Sequence, residues 1–144
     1  MNARIMLITK KLVDAYHEMD RIGKLILIYA GLHTFAAALA SIGDVFGVIA
    51  SIASAAMVWI MYWKLAKEYG LSPMENKGML LKKAILSNVI SAGAGLILML
   101  VTLAFGLEES WFVEAAINFV GAFLSGKVFC RMLSKAESKD SKAF

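Results

Sequence analysis

Four polar residues interrupt the long apolar stretches of this chain and are its best candidates for chemistry: His33, Asn88, Glu114 and Asn118. Imidazole changes charge in the physiological pH range, and polar groups inside a bilayer often mark a path for protons, ions or a small substrate. His33, Asn118 and Glu114 are candidates for such a path. Because only His33 is ionisable and deep in its stretch, we favour a simpler arrangement. We expect a hydrogen bond between His33 and Asn118 on neighbouring helices, with Glu114 near the headgroups.

Other signatures of catalysis or ligand binding are missing from the sequence. It contains no phosphate-binding loop, zinc-protease motif or serine-hydrolase motif. The single cysteine, Cys130, excludes a disulfide within the chain and a cysteine-cluster metal site. We therefore predict no catalytic residue, no metal, no cofactor and no nucleic-acid partner, and we expect a protein that is not an enzyme.

The composition indicates which elements position the polar residues. Of the 144 residues, 60% are hydrophobic and 18% are charged, and the mean hydropathy is +0.70. Soluble domains contain roughly 45–50% apolar and about 25% charged residues. This chain has too few polar groups to cover a surface that faces water, and it is too apolar to be disordered. We predict an all-α integral membrane protein.

The positions of the basic residues divide the chain into membrane spans. All fifteen Lys and Arg residues lie outside two stretches, 25–63 and 84–126. A helical span needs about 20 residues, so each stretch has the length of two spans and a turn. Turn sequences lie in the middle of each stretch, at Gly43-Asp44 and at 106–110. The predicted fold is four transmembrane helices in two hairpins, over residues 25–42, 45–63, 84–105 and 111–130.

The same charges predict the orientation, because basic residues favour the cytoplasmic side. The predicted outer turns carry only acidic charges, from Asp44, Glu108 and Glu109. The N-terminal segment 1–24, the middle loop and the tail 131–144 would then be cytoplasmic. Residues 1–24, 64–83 and 131–144 would together form a basic cytoplasmic face. It includes Lys64, Lys67, Lys77, Lys82, Lys83, Arg131 and Lys135.

The cytoplasmic segments contain further helix signals. Apolar residues recur at helical spacing in segment 1–24, as at Ile5, Ile8 and Leu12. This amphipathic helix would lie on the membrane surface, or pack under the bundle or against another subunit. Gly70 is a candidate terminator of the second span. The sequence from Ser72 to Glu75 resembles a capping box that starts the next helix.

Pairs of small residues four positions apart occur in three of the predicted spans. The pairs are Gly47 and Ser51, Ser91 and Gly95, and Gly121 and Ser125. Such pairs allow helices to approach closely, so they predict a compact bundle or a homo-oligomer. Trp59, Tyr62 and Trp63 cluster where the second span would reach the inner membrane boundary, which is typical of an aromatic belt.

Residues 37–70 resemble a bacterial family of unknown function that is sometimes attached to Era-like GTPase domains and includes the YcjF-type inner-membrane proteins. The similarity lies in a small-residue helix that ends at Gly43-Asp44, and in an apolar helix that closes on residues 65–70. A second apolar hairpin follows. The resemblance implies a helical module in the bacterial inner membrane that works with a separate GTPase, and it implies no catalytic residue.

Three functions fit these features. We favour a non-enzymatic membrane module that oligomerises or docks a cytoplasmic protein through its basic face, which would also hold anionic lipid. A second possibility is a small holin-like or toxin-like pore formed by several copies. The residues that would line such a pore are His33, Thr34, Ser51, Ser54, Asn88, Ser91 and Asn118. The third is a small transporter subunit that uses the region of His33 and Asn118.

Overall fold

The protein is an all-helical bundle. A computed structural model describes residues 2–107 and 111–142, with side chains described as far as residue 135. These residues form five helices, α1 (Ala3–Glu18), α2 (Arg21–Ala40), α3 (Asp44–Glu68), α4 (Lys77–Ala104) and α5 (Trp111–Lys142). Helices α2 to α5 are long and apolar enough to cross a membrane. The predicted all-α class with four such helices is therefore confirmed.

The first hairpin turns within three residues. Helix α2 ends at Ala40, and Gly43 adopts a positive φ of 89° before α3 begins at Asp44. A Cβ atom on Gly47 would lie 2.8 Å from the carbonyl oxygen of Ala40. Only glycine therefore allows α3 to leave the turn this close to the end of α2.

Helices α3 and α4 are each followed by a glycine in the left-handed conformation. After α3, the amide of Leu71 donates to the carbonyl of Ala66 at 3.0 Å, and Gly70 has a φ of 71°. Gly106 takes the same conformation after α4, with a φ of 67°. This geometry is the Schellman motif, and it confirms Gly70 as the terminator of α3. The predicted outer-turn charges of Glu108 and Glu109 lie outside the described residues.

The predicted helix start at Ser72 is wrong. Residues 73–75 form a turn, and α4 begins at Lys77. Asn76 closes this turn, because its backbone amide and its side-chain amide both donate to the carbonyl of Ser72 at 3.0 Å. Helix α4 therefore extends seven residues beyond the predicted span toward the middle loop.

The helices pack most tightly at the end of the bundle where α2 and α4 begin and α3 and α5 end. We call this the basic end, because Arg21, Lys64, Lys77 and Arg131 all lie there. Its core is contributed by α2 to α5 and includes Ile26, Met61, Leu65, Leu80, Phe129 and Leu133. Tyr62 belongs to this core and is 4% exposed, so it is not part of an aromatic belt.

The opposite end of the bundle is more open, and apolar side chains cover its outer surface. Large hydrophobic residues such as Val48, Leu96 and Phe105 are exposed there. Contiguous apolar surface on this scale is rare on soluble monomers, whereas lipid tails solvate it well. Together with the four long apolar helices, this surface identifies a multi-pass membrane protein.

Helix α1 has a different environment from the other four. None of its residues is buried. Asn2 caps it, and the chain leaves it through an extended residue, Met19. The apolar residues Ile5, Ile8 and Leu12 are 53%, 58% and 65% exposed. The structure thus gives no support to packing of α1 beneath its own bundle, and its apolar side is uncovered in the single chain.

Candidate functional site: a polar cavity between the helices

His33 contacts α3 rather than α5. Its Nδ1 atom lies 2.9 Å from the carbonyl oxygen of Ser54 and 2.8 Å from Ser54 Oγ. The hydroxyl of Ser54 also lies 3.3 Å from the carbonyl oxygen of His33, to which it can donate. The carbonyl oxygen of Ser54 can only accept a hydrogen bond, whereas its hydroxyl can donate or accept, so Ser54 can pair with Nδ1 in either tautomer of His33. The predicted hydrogen bond between His33 and Asn118 is wrong, and Ser54 is the partner.

A cavity of about 320 Å³ lies between the helices beside His33. All four long helices contribute to its walls. The polar lining residues are His33 from α2, Asn88 and Ser91 from α4, and Asn118 and Ser125 from α5. Gly95 and Gly121 also line it and provide space. Seven residues that the sequence singled out on separate grounds therefore meet at one cavity.

Asn118 links this cavity to two others toward the open end. One, of about 510 Å³, lies between α4 and α5 and is lined by Thr102, Trp111 and Glu114. The other, of about 240 Å³, lies between α2 and α5 and also contains Trp111 and Glu114. Asn118 lines all three. The three residues of the predicted polar path, His33, Asn118 and Glu114, thus line neighbouring cavities that have Asn118 in common.

The path closes toward the basic end. Tyr62 and Ser125 share a hydrogen bond between their hydroxyl oxygens across α3 and α5. The ring of Tyr62 lies 4.6 Å from the ring of Phe129, centroid to centroid. Ser125 is 1% exposed and Phe129 is fully buried. Tyr62, Ser125 and Phe129 therefore close this cavity on the side of the basic end.

The residues of the predicted small-residue pairs make different kinds of contact. In α3, Gly47 makes the close approach to α2, whereas Ser51 donates to the carbonyl of Gly47 in its own helix at 2.9 Å. In α4, Ser91 is buried and donates to the carbonyl of Asn88 at 3.1 Å. A Cβ on Gly95 would meet Ile117 of α5 at an ordinary 3.9 Å.

On α5 the glycine that packs closely against other helices is Gly126, one residue after the predicted pair of Gly121 and Ser125. A Cβ on Gly121 would meet no atom within 4 Å, but one on Gly126 would lie 2.8 Å from Ile26 Cγ2 and 3.2 Å from Met61 Sδ. Gly126 and Ser54 were not singled out from the sequence as packing residues. Small residues abound in apolar helices, and only the rotation of each helix decides which of them face a neighbour.

The basic face of the sequence analysis lies at the basic end. Six of its members are exposed: Lys64, Lys67, Lys77, Lys82, Arg131 and Lys135. Lys83 is half-buried and donates to the carbonyl of Met132 at 3.4 Å, which ties α4 to the end of α5. Among the described residues one ion pair forms, between Arg21 Nε and Glu68 Oε1 at 3.2 Å. Most of the basic residues described at this end thus have no carboxylate partner among the residues with described side chains.

No cluster of potential metal ligands occurs among residues 2–107 and 111–142.

Comparison of the chain with protein-family models, with characterised proteins and with solved structures finds no match in any of the three. The similarity of residues 37–70 to the family with Era-like GTPase domains therefore stays a prediction.

Proposed function

We propose that this protein is a non-enzymatic membrane module that self-associates through α1 and presents its basic end to a cytoplasmic partner. The observation that carries this proposal is the uncovered apolar side of α1, which includes Ile8 and Leu12. Exposed apolar stripes of amphipathic helices are common docking surfaces. A second copy offers the same stripe, so an α1–α1 contact would be self-complementary.

The charge at the basic end supports the proposal that this end binds a cytoplasmic partner. Exposed basic residues from α3, α4 and α5 share this end and have no carboxylate partner within the described part of the chain. A partner with an acidic surface would be attracted to it over a distance of about 10 Å. By the positive-inside rule this end faces the cytoplasm, which in the favoured interpretation is that of a bacterial inner membrane.

Energy transfer between labelled copies in liposomes tests self-association. A label at Ser41→Cys in a Cys130→Ala background lies away from α1. We expect transfer to persist as the vesicles are diluted with lipid. The double variant Ile8→Asn/Leu12→Asn should reduce it to the level of random collisions, because it removes the apolar stripe. Lys11→Gln, a matched polar change on α1, should leave it unchanged.

Dye release separates this proposal from a pore. The closed core at the basic end supports tight vesicles, so we expect no release of an entrapped dye at pH 7 or pH 5.5. Release by the wild-type chain, or unchanged energy transfer in the α1 double variant, would contradict the proposal.

The three cavities that Asn118 lines favour a second candidate function, a small proton-linked transporter subunit. Nε2 of His33 has no hydrogen-bond partner among the described residues and is the ionisable group of its cavity. This candidate ranks second because the path ends at Tyr62 and Phe129. An acid pulse applied to vesicles with an internal pH dye tests it. Proton entry that His33→Ala abolishes and Thr34→Ala retains would favour transport, whereas identical traces for both variants would exclude it.

A further inference from the structure

A groove of about 1070 Å³ lies on the outside of the bundle, where α2 begins and α3 ends. Helix α1 contributes Tyr16 to its edge. The charged lining residues are Arg21, Lys24, Lys64, Lys67 and Glu68. The apolar and aromatic ones include Leu25, Ile28, Tyr29, Trp59, Ile60 and Trp63. The groove is separate from the polar cavity, and the residues of the polar path do not line it.

The mouth of the groove carries a net positive charge. Arg21 pairs with Glu68, the acidic residue of the lining, and so neutralises it. The three lysines remain without a carboxylate partner among the described residues. Each is instead held over an aromatic ring, with Lys24 5.3 Å from the Tyr16 centroid, Lys64 5.5 Å from Tyr29 and Lys67 5.8 Å from Trp63. These contacts fix three cations around one opening.

The groove becomes apolar one helical turn deeper. Ile28 follows Lys24 by four residues and Ile60 precedes Lys64 by four, a distance of about 6 Å along each helix. Ile28, Trp59 and Ile60 are each between 41% and 49% exposed. Cations at the membrane boundary with exposed apolar walls beneath them match the two parts of a phospholipid in both order and depth.

We propose that this groove binds one anionic phospholipid, with its phosphate between Lys24 and Lys64 and an acyl chain along Ile28, Trp59 and Ile60. The lysines select a headgroup with a net negative charge, because they would repel the ammonium of a zwitterionic lipid. The apolar walls select a lipid over a soluble phosphate. This inference goes beyond the proposed function, since it requires neither self-association nor a protein partner.

Quenching of tryptophan fluorescence by brominated lipid tests the site directly. The variant Trp111→Phe leaves Trp59 and Trp63, both in the groove, as the remaining tryptophans. It is reconstituted in vesicles that contain brominated phosphatidylglycerol or brominated phosphatidylcholine at the same mole fraction. We expect stronger quenching by the anionic lipid. Lys24→Gln and Lys64→Gln should each lower this preference about five-fold, since a basic residue near the surface contributes about 1 kcal/mol.

Lys82→Gln/Lys135→Gln is the matched control, because it removes two exposed charges from the same end of the bundle, and neither residue lines the groove or the neighbouring cavity that Trp59 and Trp63 also line. This variant should keep the preference. Quenching by brominated phosphatidylcholine reports that each variant is inserted and folded. Equal quenching by the two lipids, equal losses in the groove and control variants, or displacement of the anionic lipid by excess inorganic phosphate would each overturn the proposal.

Discussion

Gly126 lies where α5 packs closely against α2 and α3 at the basic end. The nearest atoms to a Cβ at this position would belong to Ile26 and Met61, both fully buried. Neither side chain can move aside without disturbing the core. The close packing of α2, α3 and α5 therefore depends on the missing methyl group of one glycine.

Gly126→Ala should destabilise the bundle by about 1–3 kcal/mol, the usual cost of overpacking a core. Gly121→Ala, five residues earlier on α5, should be neutral or slightly stabilising, because its Cβ would meet no atom and alanine favours the helix. Reversible unfolding in mixed micelles measures both variants. Equal stability of the two would show that α5 is not positioned as described.

The hydrogen-bond partner of His33 is a feature that the sequence alone could not predict. The polarity of His33 within an apolar stretch identified it as a candidate, and the rise of a helix gave its depth. Its partner depends on how each helix is rotated about its axis, which neighbouring side chains decide. Ser54, on the other helix of the same hairpin, is therefore the partner of His33 instead of Asn118.

At the scale of elements, helix ends were easier to predict than helix starts. A residue that must adopt a positive φ leaves a clear signal in the sequence, as Gly70 does after α3. The start of α4 has a weaker signal. Both Ser72 and Asn76 are suitable residues for a helix N-terminus, and the turn that Asn76 closes on Ser72 decides between them.

Gly70→Ala should cost about 1–2 kcal/mol, because an L-residue is strained in the left-handed conformation. Gly78→Ala, in the first turn of α4, is the control. It has a helical backbone and free space around its Cβ, and we expect it to stabilise the protein slightly. Thermal unfolding of the detergent-solubilised protein compares the two. A Gly70→Ala variant as stable as the control would argue against the Schellman motif at the end of α3.

At the scale of the whole molecule, composition and charge were sufficient to predict four apolar helices. The long stretches without basic residues allowed no other arrangement of spans with lengths near that of a bilayer. Charge also predicts an orientation, with α1, the middle loop and the end of α5 on one side of the membrane.

Impermeant maleimide labelling of intact cells tests this orientation. Single cysteines at Asn2, Ser72 and Ser134 should be protected, whereas those at Ser41 and Leu107 should react, all in the Cys130→Ala background. In permeabilised cells all five should react, which controls for accessibility. Labelling of Ser72→Cys from outside intact cells would reverse the orientation and place the basic end away from any cytoplasmic partner.

The buried core lies at the basic end of the bundle, and this position affects how the helices can tilt in the membrane. Tilting is one way in which a helix adapts to the thickness of its bilayer. The core restrains the tilt of α2 to α5 at the basic end, while two cavities separate α5 from α2 and α4 near the other end. A thicker or thinner bilayer therefore changes the spacing of the helices around Glu114 and Asn118 first. Lipid chain length should accordingly control how much water enters beside these two residues.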